Sequence, residues 1–327
     1  MTTQTSPATR PARALPTKAG FTKGRLRRIG ARIGALFASL LIALTMAFLL
    51  GRLAGDPTVQ MLGPAATQEQ RDALSHQLGL DRPLIVQYLD YLKGVFTGDL
   101  GQSLQFYQSN LTMILDRLPY TLELVAAGMT LAVLIGVPLG TLAATREGTW
   151  CDRSASALAL LGQSIPVFWL GMMLVVLFAV KLGWLPAGQA GSWKNLVLPA
   201  ITMALYPMAH IARLTRASMG EALQEPYIDS ARARGLTRSR IVWKHAFKNA
   251  MMPIVTIVAL QAGILLSGAV AIEYVYSWPG IGQLALQAVQ FRDFPLVQAI
   301  VVFGAITFVV LNLAVDIIQS IVDPRVR

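Results

Sequence analysis

Few side chains in this sequence are suited to covalent chemistry, and they lie far apart. The three histidines are His76, His210 and His245. Ser164 lies in one apolar run and His210 in the next, so a serine with a histidine base, as in an intramembrane protease, is the catalytic pair to consider. Against it, Ser164 precedes a proline near a helix end, where a serine hydroxyl commonly bonds its own backbone. We therefore expect no catalytic residue.

Other motifs for chemistry are also missing from the sequence. It contains no glycine-rich phosphate loop ending in Gly-Lys-Ser/Thr, no His/Cys cluster with metal-ligand spacing and no paired carboxylates. We expect no cofactor or metal in this chain. The single cysteine, Cys151, can form no internal disulfide.

The segment 225–253 is the longest charged segment between two apolar runs in the C-terminal half. Pro226 suits a first helical turn, and Glu225 and Asp229 favour a helix N-terminus. Gly235 is a residue that commonly ends a helix. Three small residues leave one face of this helix with only short side chains: Ser230, Ala231 and Ala233. Because so short a helix buries little by itself, we expect another protein to hold it.

The composition is that of a membrane protein. Of 327 residues, 54% are hydrophobic and only 14% are charged. Six runs reach the roughly 17–25 apolar residues that a membrane-spanning helix needs. The sequence therefore predicts an all-α polytopic protein with six transmembrane helices, near residues 31–53, 120–144, 157–180, 195–213, 252–271 and 296–322.

The basic residues indicate how these helices are oriented. With both termini in the cytosol, the cytosolic segments hold 20 of the 28 lysines and arginines. This agrees with the positive-inside rule, and the reverse orientation would contradict it. The net charge of +11 therefore reflects membrane topology. Without interleaved basic and aromatic residues, we expect no nucleic-acid partner.

We divide the chain into four parts. Residues 1–24 are predicted to be a disordered basic cytosolic tail, and 25–54 the first transmembrane helix. Residues 55–119 form an extracytoplasmic segment with short helices at 68–78 and 83–96. The second of these is amphipathic, so we expect it to lie on the outer leaflet or on the chain's own spans, or else to dock an external partner. The remainder, 120–327, is a core of five transmembrane helices with a cytosolic segment at 213–252.

The source of energy must lie outside this chain. Ion-coupled secondary transporters keep ionisable groups at mid-bilayer. Here Glu123, Glu273 and Asp316 lie near span ends, and six spans are few for two inverted repeats. A self-powered transporter is thus a remote alternative.

Several motifs resemble those of one transporter family. Asp229-Ser230-Ala231, then Gly235 and Pro253, resembles the E-A-A-x-x-x-G loop of ATP-binding-cassette (ABC) importer permeases, although aspartate and serine depart from it. The sequence is similar to the dipeptide, oligopeptide and nickel permease family, first-subunit type. Further matching motifs are Gly55-Asp56-Pro57, Leu78-Gly79-Leu80-Asp81, Gly98-Asp99-Leu100-Gly101, Ser164-Ile165-Pro166, Ser277-Trp278-Pro279-Gly280 and Asp323-Pro324-Arg325.

The resemblance implies a type I ABC-importer permease of the bacterial inner membrane. Its partners would be a related second permease in a heterodimer, two cytosolic ATPase subunits that bind ATP and Mg, and an extracytoplasmic binding protein. The cargo would be di- or oligopeptides, with nickel or a metal-chelate as the alternative. A coupling helix would seat in the ATPase through Tyr227, Asp229, Ser230, Ala231, Ala233, Arg234 and Gly235.

Two further expectations concern individual side chains. Glu123, Glu273 and Ser164 are candidates for the translocation path or its gate; the alternative for the two glutamates is interfacial anchoring or pairing with Arg117 and Arg292. Four arginines are expected to serve topology and partner contact, or to form a solvated charged face: Arg232, Arg234, Arg238 and Arg240.

Overall fold

A computed structural model describes residues 18–53, 57–63, 65–77 and 79–322, and these ranges contain helices and no β-strand. Residues 1–17 of the expected tail, Gly55-Asp56, Leu78 and 323–327 lie outside the described residues. The helices are α1 Lys18–Leu53, α2 Pro57–Leu62, α3 Gln68–Gln77, α4 Leu84–Thr97, α5 Asn110–Thr145, α6 Trp150–Ser164, α7 Val167–Leu174, α8 Trp193–Leu223, α9 Pro226–Ala233, α10 Arg238–Arg240, α11 Phe247–Val275, α12 Ile281–Gln290 and α13 Phe294–Val322. Wider π-helical turns extend α7 through Val175–Lys181 and join α10 to α11 through Ile241–Ala246.

Five helical segments in the described ranges are long and apolar enough to cross a membrane: Gly34–Arg52, Asn110–Thr145, Trp193–Leu223, Arg238–Leu266 and Phe294–Ala314. The sixth candidate is the pair α6 and α7 with its π-helical extension, which is bent by 100°. The all-α polytopic fold is confirmed.

The bend corrects the expectation of one continuous helix at 157–180. Helix α6 ends at Ser164, Ile165 has extended backbone angles (φ −80°, ψ 124°), and α7 begins after Pro166. Proline has no N–H to donate and disfavours helical angles in the preceding residue. The Ile165-Pro166 pair therefore divides the apolar run into two helices.

Helices α5 and α8 form the centre of the bundle. A Cβ added at Gly140 would lie 2.3 Å from the carbonyl oxygen of Ala212, and one at Gly128 would lie 2.8 Å from Cγ of Met203. Only glycine allows so close an approach. The glycines of α5 therefore make this a site of close helix packing.

We name the end of the bundle that is rich in basic residues the basic end, and the other the opposite end. The basic end contains the α5–α6 turn and the segment 224–240, and Arg238 there donates a hydrogen bond to the carbonyl of Thr145. The opposite end contains α2–α4 and the 276–293 region. Helix α8 runs ten residues past its expected end at 213, and α1 begins at Lys18 rather than 25. Neither of these two extensions contains a residue that stops the helix at the membrane boundary.

Candidate functional site

The short helix α9 has defined stops at both ends. Glu225 before it is extended, and Pro226 occupies its first position. At the other end Gly235 has a left-handed φ of 72°. Its N–H donates to the Arg232 carbonyl at 2.9 Å, and the Leu236 N–H donates to the Ala231 carbonyl at 3.3 Å. This pair of bonds is a Schellman motif, as the sequence predicted from the glycine.

One face of α9 is buried within the chain itself. Ile228 is 0% exposed and Ala231 is 1% exposed. They pack with residues of α8, α11 and the π-helical turn between α10 and α11: Met219, Ala222, Ile241, Val242, Ala246, Ala250 and Ile254. The small side chain of Ala231 therefore serves this internal packing, and α9 packs mainly on the π-helical turn that leads into α11.

The other face of α9 is open and bears small or polar side chains: Asp229, Ser230, Ala233, Arg234 and Gly235. Tyr227 is half-buried, and its hydroxyl donates to the Ala222 carbonyl at 3.2 Å. Arg232 pairs with Asp229 on the same helix at 3.0 Å. Of the expected coupling residues, all except Ala231 and Tyr227 are thus exposed.

A second cluster joins three helices at the opposite end around Glu273, which is 0% exposed. Thr121 on α5 donates its hydroxyl to one carboxylate oxygen at 2.7 Å. The N–H of Gln283, in the first turn of α12, donates to the other at 3.0 Å. Thr121 also accepts the N–H of Ile281 at 2.9 Å. The carboxylate therefore satisfies backbone groups at the start of α12.

The loop between α11 and α12 is held tightly against the bundle. The ring N–H of Trp278 donates to the Tyr120 carbonyl at 2.9 Å. The carbonyl of Tyr276 accepts the N–H of Gln189 at 2.8 Å. Burial raises the pKa of Tyr276 to about 12, so its hydroxyl stays neutral beside Thr202. This aromatic loop is an irregular but buried segment.

The structure separates the three candidate gate residues. Glu273 lies inside the packing, Glu123 is exposed, and neither forms an ion pair with Arg117 or Arg292 in the described part of the chain. Ser164 donates its hydroxyl to the Leu160 carbonyl at 2.9 Å, the backbone bond expected for it.

Asp293 is a buried residue that the sequence reasoning missed. It is 1% exposed, accepts the hydroxyl of Ser103 at 2.5 Å, and caps the start of α13 through the N–H of Leu296 at 3.2 Å. The Gly98-Asp99-Leu100-Gly101 turn thus positions Ser103 to tie the extramembrane segment to the core. An aspartate just before Phe294-Pro295 is a helix-start signal that could have revealed it.

Family comparisons agree with this architecture. Residues 136–327 match the model described as "Binding-protein-dependent transport system inner membrane component". Residues 25–125 match its companion, "Binding-prot-dependent transport system membrane comp, N-term". The chain therefore belongs to the inner-membrane components of binding-protein-dependent transport systems, the permeases of ABC importers. It is a non-catalytic, multi-pass subunit that works with ATPase and substrate-binding partners.

Curated relatives align over nearly the whole chain. The dipeptide transport system permease protein DppB of Escherichia coli K12 is 39% identical, over 92% of this chain and 98% of its own. The di/tripeptide permease DppB of Pseudomonas aeruginosa UCBPP-PA14 is 37% identical, over 91% and 98%. The glutathione transport permease GsiC of Escherichia coli O6:H1 is 38% identical, over 90% and 97%.

Solved structures support the fold. A chain of the inward-facing MetNI methionine ABC transporter superposes with a TM-score of 0.55 at 21% identity, covering 64% of this chain and 96% of its own. A chain of an amino acid ABC transporter with histidines gives 0.51 at 16% identity, covering 64% and 94%.

Proposed function

We propose that this protein is the permease subunit of an importer for di- or oligopeptides. The observation that carries the proposal is the 37–39% identity, over more than nine-tenths of the chain, to permeases named for dipeptides, tripeptides and glutathione. The chain would form half of the translocation path, with a related but different permease supplying the other half. A binding protein would deliver the peptide at the opposite end, and the basic end would face the cytosol.

We further propose that α9 is the coupling helix that receives the ATPase. Its open face is small enough to enter a groove on another protein, because Ser230, Ala233 and Gly235 project little beyond the backbone. Its inner face forms a wedge through Ile228 and Ala231, which pack in one cluster with residues of α8, the π-helical turn and α11. A close-packed wedge transmits displacement because packed interiors compress little. A push on α9 would therefore move the two membrane helices.

ATP-dependent uptake of a radiolabelled dipeptide tests this function. The complex of both permeases, the ATPases and the binding protein is placed in sealed vesicles. We expect uptake that an excess of unlabelled di- or tripeptide suppresses and that nickel salts or metal-chelates do not. Uptake of nickel or a chelate without any peptide uptake would overturn the peptide assignment.

A bulky substitution on the open face of α9 tests the coupling role. We expect Ala233→Trp to abolish uptake at normal membrane abundance, because the indole would prevent close docking. Gly191→Trp is the matched control: Gly191 is exposed at the opposite end, with open space around it. Normal uptake by Ala233→Trp would overturn the coupling assignment.

A further inference from the structure

A cavity of about 210 Å³ lies between α5, α6 and α8. Most of its wall is apolar, with small side chains such as Ala143, Ala155 and Ala212. Three long polar side chains also line it: Gln163, Arg213 and Arg216. At about 30 Å³ per water molecule, it would hold about seven waters. This is room for one end of a peptide rather than for a whole one.

One polar side chain in this cavity has an unpaired donor, and a second lacks an anionic partner. The side-chain amide nitrogen of Gln163 is buried without a hydrogen bond. Arg216 is fully engaged, with two nitrogens on the carboxylate of Asp152 at 2.5 and 2.9 Å. Arg213 has no carboxylate within ion-pair distance among the described residues, and its contact is with His210 Nδ1 at 3.4 Å. The Gln163 amide nitrogen is thus an unsatisfied buried donor, which is costly and calls for a ligand, whereas Arg213 is exposed and open to one.

The position of these groups along α8 indicates water rather than lipid beside them. At 1.5 Å per residue from Trp193, Arg213 lies about 30 Å along the helix, so a hydrocarbon core of about 30 Å ends beside it. Arg213 is exposed there, and His210 lies one turn inside that boundary, with its ring packed at a tilt against Tyr206 at a centroid distance of 4.6 Å. An ionisable side chain inside the boundary faces a water-filled cavity or the protein interior, so we expect water beside both groups at the basic end.

We propose that this cavity is a contact site in the translocation path for the C-terminal carboxylate of a peptide. The guanidinium of Arg213 and the amide of Gln163 would donate to the carboxylate or to its neighbouring carbonyl. The bend ends α6 at Ser164, one residue after Gln163, so Gln163 lies in the last turn of the helix that lines the cavity. The inference rests on the proposed function as a peptide importer, and it goes further by naming the part of the substrate that is recognised.

Thiol labelling tests the site without any peptide. The complex carries Gln163→Cys in a Cys151→Ser background, and is treated with small methanethiosulfonate reagents, one anionic and one cationic. We expect both to label residue 163, whereas Leu134→Cys, on an exposed apolar position of α5, resists both. Adding Arg213→Gln should lower the ratio of anionic to cationic labelling rates severalfold.

Arg153→Gln is the matched control for this labelling. Arg153 is exposed near the start of α6. Its substitution by glutamine removes one positive charge from the same end of the protein. No labelling at residue 163, or an equal change of the ratio in Arg213→Gln and Arg153→Gln, would overturn the site. The second result would mean that Arg213 only extends to the membrane surface.

Uptake then tests the substrate group. Initial rates are measured for a dipeptide and for the same dipeptide with a C-terminal amide, always with the same binding protein. The reference is the ratio of the two rates in the wild type. Because the binding protein and the peptides are the same in every measurement, a change in this ratio arises in the permease. We expect Arg213→Gln to lower the preference for the free carboxylate about tenfold, and Gln163→Leu to lower it less.

The uptake result also separates the two proposals. Proportional loss for both peptides in Arg213→Gln, or no loss, would overturn recognition of the carboxylate while leaving peptide import intact. A wild-type complex that imports no peptide would overturn the proposed function itself, whatever the labelling shows.

Discussion

The junction around Glu273, at the opposite end, and α9, at the basic end, are held by different contacts. At the opposite end, polar groups distant in sequence bond one another: Glu273 joins Thr121, and Asp293 joins Ser103. At the basic end, α9 is fixed by buried apolar side chains. The side-chain hydrogen bonds of its described residues reach no further than five residues along the chain.

This difference indicates what each end can do. Hydrogen bonds are directional and fix one geometry at the junction of α5, α11 and α12. Apolar packing has no such directionality, so a wedge can transmit a push and settle again in a shifted position. We infer that the junction around Glu273 acts as a fixed joint, while α9 is where motion enters.

The largest effect is expected from Ile228→Ala. Truncating this buried side chain should cost about 2–5 kcal/mol of packing free energy and loosen α9. Because the wedge would then transmit less, the number of peptides imported per ATP hydrolysed should fall steeply while hydrolysis continues. Vesicle uptake and phosphate release, measured together, check this.

Ile201→Ala on α8 serves as the control, because Ile201 is exposed and outside the α9 cluster. It should leave the ratio of peptide to ATP unchanged. An unchanged ratio in Ile228→Ala itself would mean that the wedge does not transmit motion.

The paired variants Glu273→Gln and Glu123→Gln come next. Glu273→Gln keeps one oxygen acceptor and replaces the other with an NH2 group, which cannot accept a hydrogen bond from Thr121 or Gln283, so we expect a loss of about 1–3 kcal/mol. Glu123 is exposed, so its variant should change stability by less than about 0.5 kcal/mol. Thermal unfolding of the purified protein in detergent compares them. Equal shifts would contradict the distinction between a buried joint and an exposed residue.

Much of the architecture could be predicted because it depends on local signals. Apolar run length predicted the spans, and Gly235 predicted the end of α9. The bend at Pro166 was missed because the spans were predicted from hydrophobicity, which does not depend on whether a residue has an N–H to donate. The Ile165-Pro166 pair itself indicates the bend.

The site was harder to predict, because burial is not visible in the sequence. Glu273 and Glu123 have similar surroundings in the sequence, yet only one is enclosed. Ala231 and Ala233 are both small residues of one short helix, and it is the packing of α8 and α11 that decides which of them is exposed. Contacts such as Ser103 with Asp293 join residues 190 apart, and no local pattern specifies such a pairing.

The smallest effect is expected from Gly235→Ala. At φ 72° an alanine costs about 1 kcal/mol, and no atom lies within 4 Å of the added Cβ, so the cost is purely conformational. Gly235→Asn should recover most of it, since asparagine tolerates this conformation. Gly235→Trp has the same backbone cost plus bulk. If the asparagine variant imports peptide normally and the tryptophan variant does not, the side chain obstructs a docked partner. Equal defects in all three variants would instead assign the role of Gly235 to the backbone turn alone.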